Sequence, residues 1–324
     1  MKSIYQEIQR ERAVKLLKDK RPIFYGGNGG KLFMRSERDF VLIENEKNFF
    51  EPIKSSAIEY FDKNNVAWWG GKNPTGHLLS SQIACVNHLF AIRNDKASVL
   101  GLLKTVSEEF VDVYKIETDN NQSGYIQFEA VSDNDYLNEG QSTRGSNCTS
   151  VDALVFAKHK DGSKWLIPIE WKYTEHYDNL NKATEGCKTN PEKCKGKERQ
   201  RRYSDLINAS KQLKSTEHYV YYFEPFYQLM RQTLWAEQIV ENKEIETLKA
   251  ENYLHIHVIP SENKDLLDKE YKCSGLGMEK TWKNHLVDKD KYVIISPKDF
   301  LKNIDKGKYN DLYNYLNERY WKNE

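Results

Sequence analysis

Two apolar runs joined by a short turn constrain this chain most. Val151-Asp152-Ala153-Leu154-Val155-Phe156-Ala157 is followed by Lys160-Asp161-Gly162-Ser163 and then by Trp165-Leu166-Ile167-Pro168-Ile169-Glu170. β-Branched and aromatic residues on either side of an Asp-Gly signal predict an antiparallel β-hairpin. Asp152 opens the first strand and Glu170 closes the second, so pairing brings the two carboxylates side by side. Side chains alternate along a strand: Glu170 and Lys172 share a face, while Trp171 points to the other and leaves its carbonyl at the same edge. Like charges held this close repel, and the usual remedies are a raised carboxyl pKa or a divalent cation. Oxygen ligands favour magnesium or manganese.

An Asp, a variable spacer and Glu-x-Lys resemble the motif of the PD-(D/E)XK nuclease superfamily, with Asp152, Glu170 and Lys172 at the motif positions. Val151 stands where a Pro is common in that superfamily. The resemblance implies an α/β, restriction-endonuclease-like core, a central mixed β-sheet flanked by α-helices. It also implies Mg2+, with Mn2+ as substitute, held by Asp152, Glu170 and the Trp171 carbonyl, and Lys172 beside a metal-activated water. The implied reaction is hydrolysis of DNA phosphodiester bonds to a 5′-phosphate and a 3′-hydroxyl. Glu-x-Lys also occurs at Glu241-Asn242-Lys243, Glu262-Asn263-Lys264 and Glu270-Tyr271-Lys272, but in charged segments with no apolar strand before them. Context therefore selects Glu170. The plain alternative is a hairpin whose rim acids, Asp152 and Glu170, simply pair with Lys172.

Over 324 residues, 49 Lys and Arg nearly balance 48 Asp and Glu, so any nucleic-acid surface must be local. One local excess exists. Lys188, Lys193, Lys195, Lys197, Arg199, Arg201 and Arg202 are opposed within their run only by Glu192 and Glu198. The run falls in a polar stretch, about 175–215, that is too long for an ordinary loop and reads as a basic insertion that would clamp a phosphate backbone or merely face solvent. Residues 1–76 read as an N-terminal helical extension packed on the core, and 77–324 as the nuclease-like domain. No apolar run reaches membrane-spanning length, and Met1 to Lys20 is too charged for a secretory signal, which predicts a cytoplasmic protein. The five cysteines suggest no disulfide framework and are expected mostly reduced; Cys187 and Cys194 alone are near enough for a local disulfide or half of a metal site.

Several positions could add to the site. Ser80 caps a predicted helix through Ile92 whose Gln82 matches, loosely, a polar residue that the resembled superfamily aims at its metal; the alternative is a backbone-bonding amide. Residues 124–131 read as the first central strand, with Glu129 as a further carboxylate. Arg144 tips the polar loop before Asp152 and would reach phosphate. A helix from Pro225 to near Val240 buries Leu229, Thr233, Ala236 and Ile239, leaving Gln228, Arg231 and Gln232 for substrate. Trp68 and Trp69 read as core caps rather than base-stacking platforms, and the glycines from Gly26 to Gly30 as a turn, since the pattern lacks the first Gly and the Ser or Thr of a phosphate loop. Further helices are predicted over 2–19, 97–106, 203–213 and 309–320, and strands over 111–116, 253–259 and 292–295. His255 and His257 alternate on one strand face, which reads as solvated rather than as a metal pair. The leading reading is a metal-dependent nuclease, with a homodimer open for duplex cutting. Its rivals are a catalytically inactive nucleic-acid-binding relative and a carboxylate-pair glycosidase using Glu129 or Asp152 with Glu170.

Overall fold

Ser3 begins the fold by accepting a hydrogen bond from the Gln6 amide, which caps α1 (Ile4–Lys18). The computed structural model describes residues 3–69, 71–118, 120–140, 148–215 and 219–321. The glycine run leads into a hairpin of β1 (Gly29–Phe33) and β2 (Ser36–Leu42). A Cβ on Gly29 would lie 1.9 Å from the Asp39 carbonyl oxygen, so close strand approach explains that glycine without a phosphate ligand. After α2 (Lys54–Lys63), Ser80 caps α3 (Ser81–Leu89) and Asp95 caps α4 (Lys96–Lys104).

The central sheet is mixed and has seven strands: β3 (Phe110–Tyr114), β4 (Gln127–Ala130), β5 (Val151–His159), β6 (Lys164–Trp171), β7 (Asn252–Tyr253), β8 (His255–Val258) and β9 (Tyr292–Ile295). The order is β3-β5-β6-β8-β9, with β4 also on β5 and β7 also on β6. β3, β4 and β6 run antiparallel to β5, whereas β6, β8 and β9 run parallel. The predicted hairpin is thus the centre of the sheet. β4 is shorter than the sequence suggests and lies at an edge rather than centrally, because Gly124 bridges to Ile116 instead of extending it.

Alternation on β5 and β6 divides the core. Ala153, Val155, Ile167, Ile169 and Trp171 join α3, α4 and residues of the N-terminal segment in one apolar cluster. Leu154, Phe156 and Leu166 join α5 (Lys195–Ala209) and α6 (Phe226–Glu241) in the other. Each large side chain so buried contributes roughly 1.5–3 kcal/mol relative to exposure. The stripe of Leu229, Thr233, Ala236 and Ile239 is buried as its spacing predicts. Trp68 caps the core, stacked on Phe61 with ring centroids 3.7 Å apart.

Three expectations need correction. The basic run carries helical structure of its own, and α5 starts at Lys195, before the predicted Tyr203, since Lys, Arg, Gln and Glu are good helix formers and charge obscures the periodicity. His255 and His257 are each 1 % exposed rather than solvated; both rings pack on Tyr292 of β9, which is backed in turn by Trp282 of α8 (Met278–Asn284). Cys187 and Cys194 form a disulfide, because the turn between them brings their Cα atoms to 4.8 Å; the Cys85 and Cys273 thiols stay outside it. The short α7 (Lys264–Leu267) precedes α8, and α9 (Pro297–Phe300) and α10 (Asn310–Leu316) follow β9, α10 running on into a π-helical segment at Asn317–Trp321. No helix among the described residues is long and apolar enough to cross a membrane.

Candidate active site

Ala153 pairs with Ile169, and the same register sets Asp152 across from Glu170. The Trp171 amide donates to Asp152 Oδ2 at 2.7 Å, which fixes that carboxylate at the hairpin's open end. The Trp171 ring lies on the opposite face against His88, as alternation requires. Beyond β6, the Lys172 amide donates to the Val258 carbonyl at 2.9 Å, so the parallel neighbour holds the motif lysine in line.

Glu170 and Lys172 are 3 % and 5 % exposed and are paired with each other. Lys172 Nζ lies 2.6 Å from Glu170 Oε1 and 2.7 Å from Gln228 Oε1. Gln228 Nε2 donates to the same Glu170 oxygen at 2.7 Å, and Gln232 Nε2 donates to Oε2. The two glutamines stand one turn apart on α6, which places both amides over one strand residue. On the other flank Gln82, in the first turn of α3, donates to Glu129 Oε1 at 2.7 Å and accepts from the Trp69 amide at 2.7 Å. Ser150 Oγ reaches Glu129 Oε2 at 3.3 Å. Gln82, Glu129, Asp152, Glu170, Lys172 and Gln228 together line one cavity of about 770 Å³.

Burial pushes the Asp152 carboxyl well above the usual carboxylate range, and the neighbouring Glu170 and Glu129 push it further, against Lys172 and the Trp171 amide. For Lys172 burial acts to lower the value, but Glu170, Tyr177, Glu175 and Asp152 outweigh it and hold the ammonium charged.

Among the described residues no three His, Cys, Asp or Glu side chains form a group that could hold a metal ion. The donor chemistry nonetheless suits a hard cation. Among the described residues one Asp152 oxygen accepts from none and Glu170 Oε2 accepts from Gln232 alone, and the acids around Asp152 leave it short of positive charge. A stability consequence follows for the metal-free protein. A carboxyl raised in the fold favours folding below its unfolded value of about 3.9, and that contribution is lost as pH rises through the folded value. Asp152→Asn is thus expected to raise the Tm of metal-free protein at about pH 8, with the gain vanishing towards pH 3. Thermal unfolding at both pH values checks this; an equal Tm at pH 8 would contradict it.

The remaining sequence candidates separate. Lys195, Arg199, Arg202 and Arg231 line a second cavity of about 810 Å³, which also reaches Gln228. Lys188, Lys197 and Arg201 are exposed and do not line it. Arg144 lies outside the described residues. Arg231 is bound to the buried Glu139 through Nε at 3.0 Å and Nη2 at 2.8 Å. Sequence reasoning missed Ser150, Glu139 and Glu175. Only Ser150, beside the first strand, carried a positional signal.

A hairpin bearing Asp and Glu-x-Lys, central to a mixed sheet between helical layers, defines a restriction-endonuclease-like α/β protein. More narrowly, the chain belongs to the family described as restriction endonuclease associating with ARP, whose family model matches residues 10–321. Among curated proteins and among solved structures nothing matches the chain significantly.

Proposed function

We propose that this protein is a magnesium-dependent deoxyribonuclease, cutting within DNA, with its reaction centre at Asp152, Glu170 and Lys172. The observation that carries this reading is the meeting of opposed acids and a charged lysine in one cavity. Mg2+, or Mn2+ in its place, would be held by Asp152, Glu170 and the Trp171 carbonyl. When bound, the ion supplies a more acidic water and neutralises charge at the attacked phosphate. The chain's own residues do the rest. Lys172, kept cationic, orients the attacking water and stabilises negative charge developing on the phosphoryl oxygens. Gln228 and Gln232 aim Glu170, and Gln82 holds Glu129 against the same cavity. A water oxygen bonds to phosphorus and gives up one proton to bulk water, the bond to the 3′-oxygen breaks, and that oxygen takes one proton from bulk water, leaving a 5′-phosphate and a 3′-hydroxyl. A homodimer would serve symmetric duplex cutting, and by its family's description the chain would act in association with ARP.

Incubation of the purified protein with supercoiled plasmid is expected to give nicked and linear DNA in magnesium or manganese and none in EDTA. Salt-sensitive binding without turnover in either metal would overturn the enzyme and leave a nucleic-acid-binding relative.

A further inference from the structure

Gln228 belongs to two cavities. One side of its amide meets Lys172 and Glu170, and the same residue lines the second cavity, between α5 and α6. Lys182, Lys193, Lys195, Arg199, Arg202 and Arg231 line that second space against three acids, Glu139, Glu198 and Glu224, in a chain whose formal net charge is only +1. Cations gathered this way repel and persist only where the fold holds them.

The fold does hold them. The Cys187–Cys194 disulfide pins the residue that caps α5. A Cβ on Gly196 would lie 2.0 Å from the Ala183 carbonyl oxygen, so the start of α5 is pressed against the segment bearing Lys182. Arg199 donates to the Lys182 carbonyl at 3.2 Å and to Glu185 at 2.9 Å. Arg231 is neutralised by Glu139, and Arg202 lies 3.7 Å from Glu198. Two lysines remain in excess. Lys195 is 77 % exposed and only 3.9 Å from Glu185, which Arg199 already occupies, and Lys193 has no ion pair among the described residues.

We propose that this basic cavity takes the phosphodiester backbone of the nucleic-acid strand that lies across the Asp152–Glu170 cavity, with Gln228 at the junction. The proposal rests on the reading of the chain as a nuclease for the strand's identity, and the ligand is recognised by phosphate charge rather than by base. Lys197 and Arg201, on the same helix but outside the cavity, are not part of it.

Binding of a fluorescein-labelled oligonucleotide is measured in EDTA, where no cleavage proceeds, across a salt series. Lys193→Glu/Lys195→Glu is expected to weaken binding at least about tenfold and to flatten the salt dependence by about 1.4–1.8 in slope, the value for two lost phosphate contacts. Lys197→Glu/Arg201→Glu, which reverses the same number of charges within α5, is expected to weaken it less than about threefold. Equal losses in the two pairs, or a larger loss in the second, would overturn the proposal. So would displacement of the oligonucleotide by ATP or inorganic phosphate as effectively as by unlabelled DNA, which would assign the cavity to free phosphates. If the selective loss holds but magnesium brings no cleavage, the nuclease reading fails while the cavity stands. If DNA is cut and the Lys193/Lys195 variant binds like the parent, the cavity proposal fails alone.

Discussion

Asp152→Ala is expected to lower magnesium-dependent DNA cleavage by on the order of a thousandfold, about 4 kcal/mol of transition-state stabilisation, while changing oligonucleotide affinity in EDTA little. Asp152 lies across from Glu170 and is pinned by the Trp171 amide, so no neighbour can take its place without moving the hairpin end. Lys172→Met is expected to cost a similar factor by a different route. It removes the fixed cation and leaves Glu170, 3 % exposed, with only two amides for its charge. Because both residues serve one centre, the double variant should be little worse than either single one. Single-turnover cleavage of plasmid by the three variants checks this. Undiminished cleavage in both single variants would remove the proposed centre.

The part of this centre within one hairpin was legible because period-two alternation and an Asp-Gly turn fix a register, and register alone sets Asp152 beside Glu170. The Ser80 cap, which starts α3, placed Gln82 in its first turn, where its amide bonds both Glu129 and the Ala67 and Trp69 backbone. What closes over Glu170 was less so. Gln228 and Gln232 were readable as a polar face of α6, but nothing local says that this face docks on β6 rather than on solvent. The histidines failed for the same reason. Alternation on β8 is visible, whereas the cover supplied by Tyr292, itself backed by Trp282, comes from elements distant in sequence. Glu139 lay in a polar loop with no periodicity, and the disulfide rested on a turn that cysteine counting does not reveal.

That loop acid carries the other large expected effect. Glu139, with 3 % of its side chain exposed, accepts from Arg231 Nε and Nη2, from Tyr203 Oη at 2.6 Å, from Thr149 Oγ1 at 2.8 Å and from the Thr149 amide. One carboxylate thus ties α5 and α6 to the residue two before the start of Val151-Asp152 pairing. Glu139→Ala would leave the Arg231 cation and the Tyr203 hydroxyl without their partner, and breaking a buried pair from one side costs about 3–5 kcal/mol. Arg231 keeps 24 % of its side chain exposed, so water relieves part of the loss and about 3 kcal/mol is expected. Adding Arg231→Met should restore some of that stability, since the stranded charge is then gone and the coupling between the two sites becomes measurable. Urea unfolding of both single variants and the double variant reads the cycle. A Glu139→Ala protein within about 0.5 kcal/mol of the parent would mean that the network is not a clamp, and that the approach to Asp152 is held by packing alone.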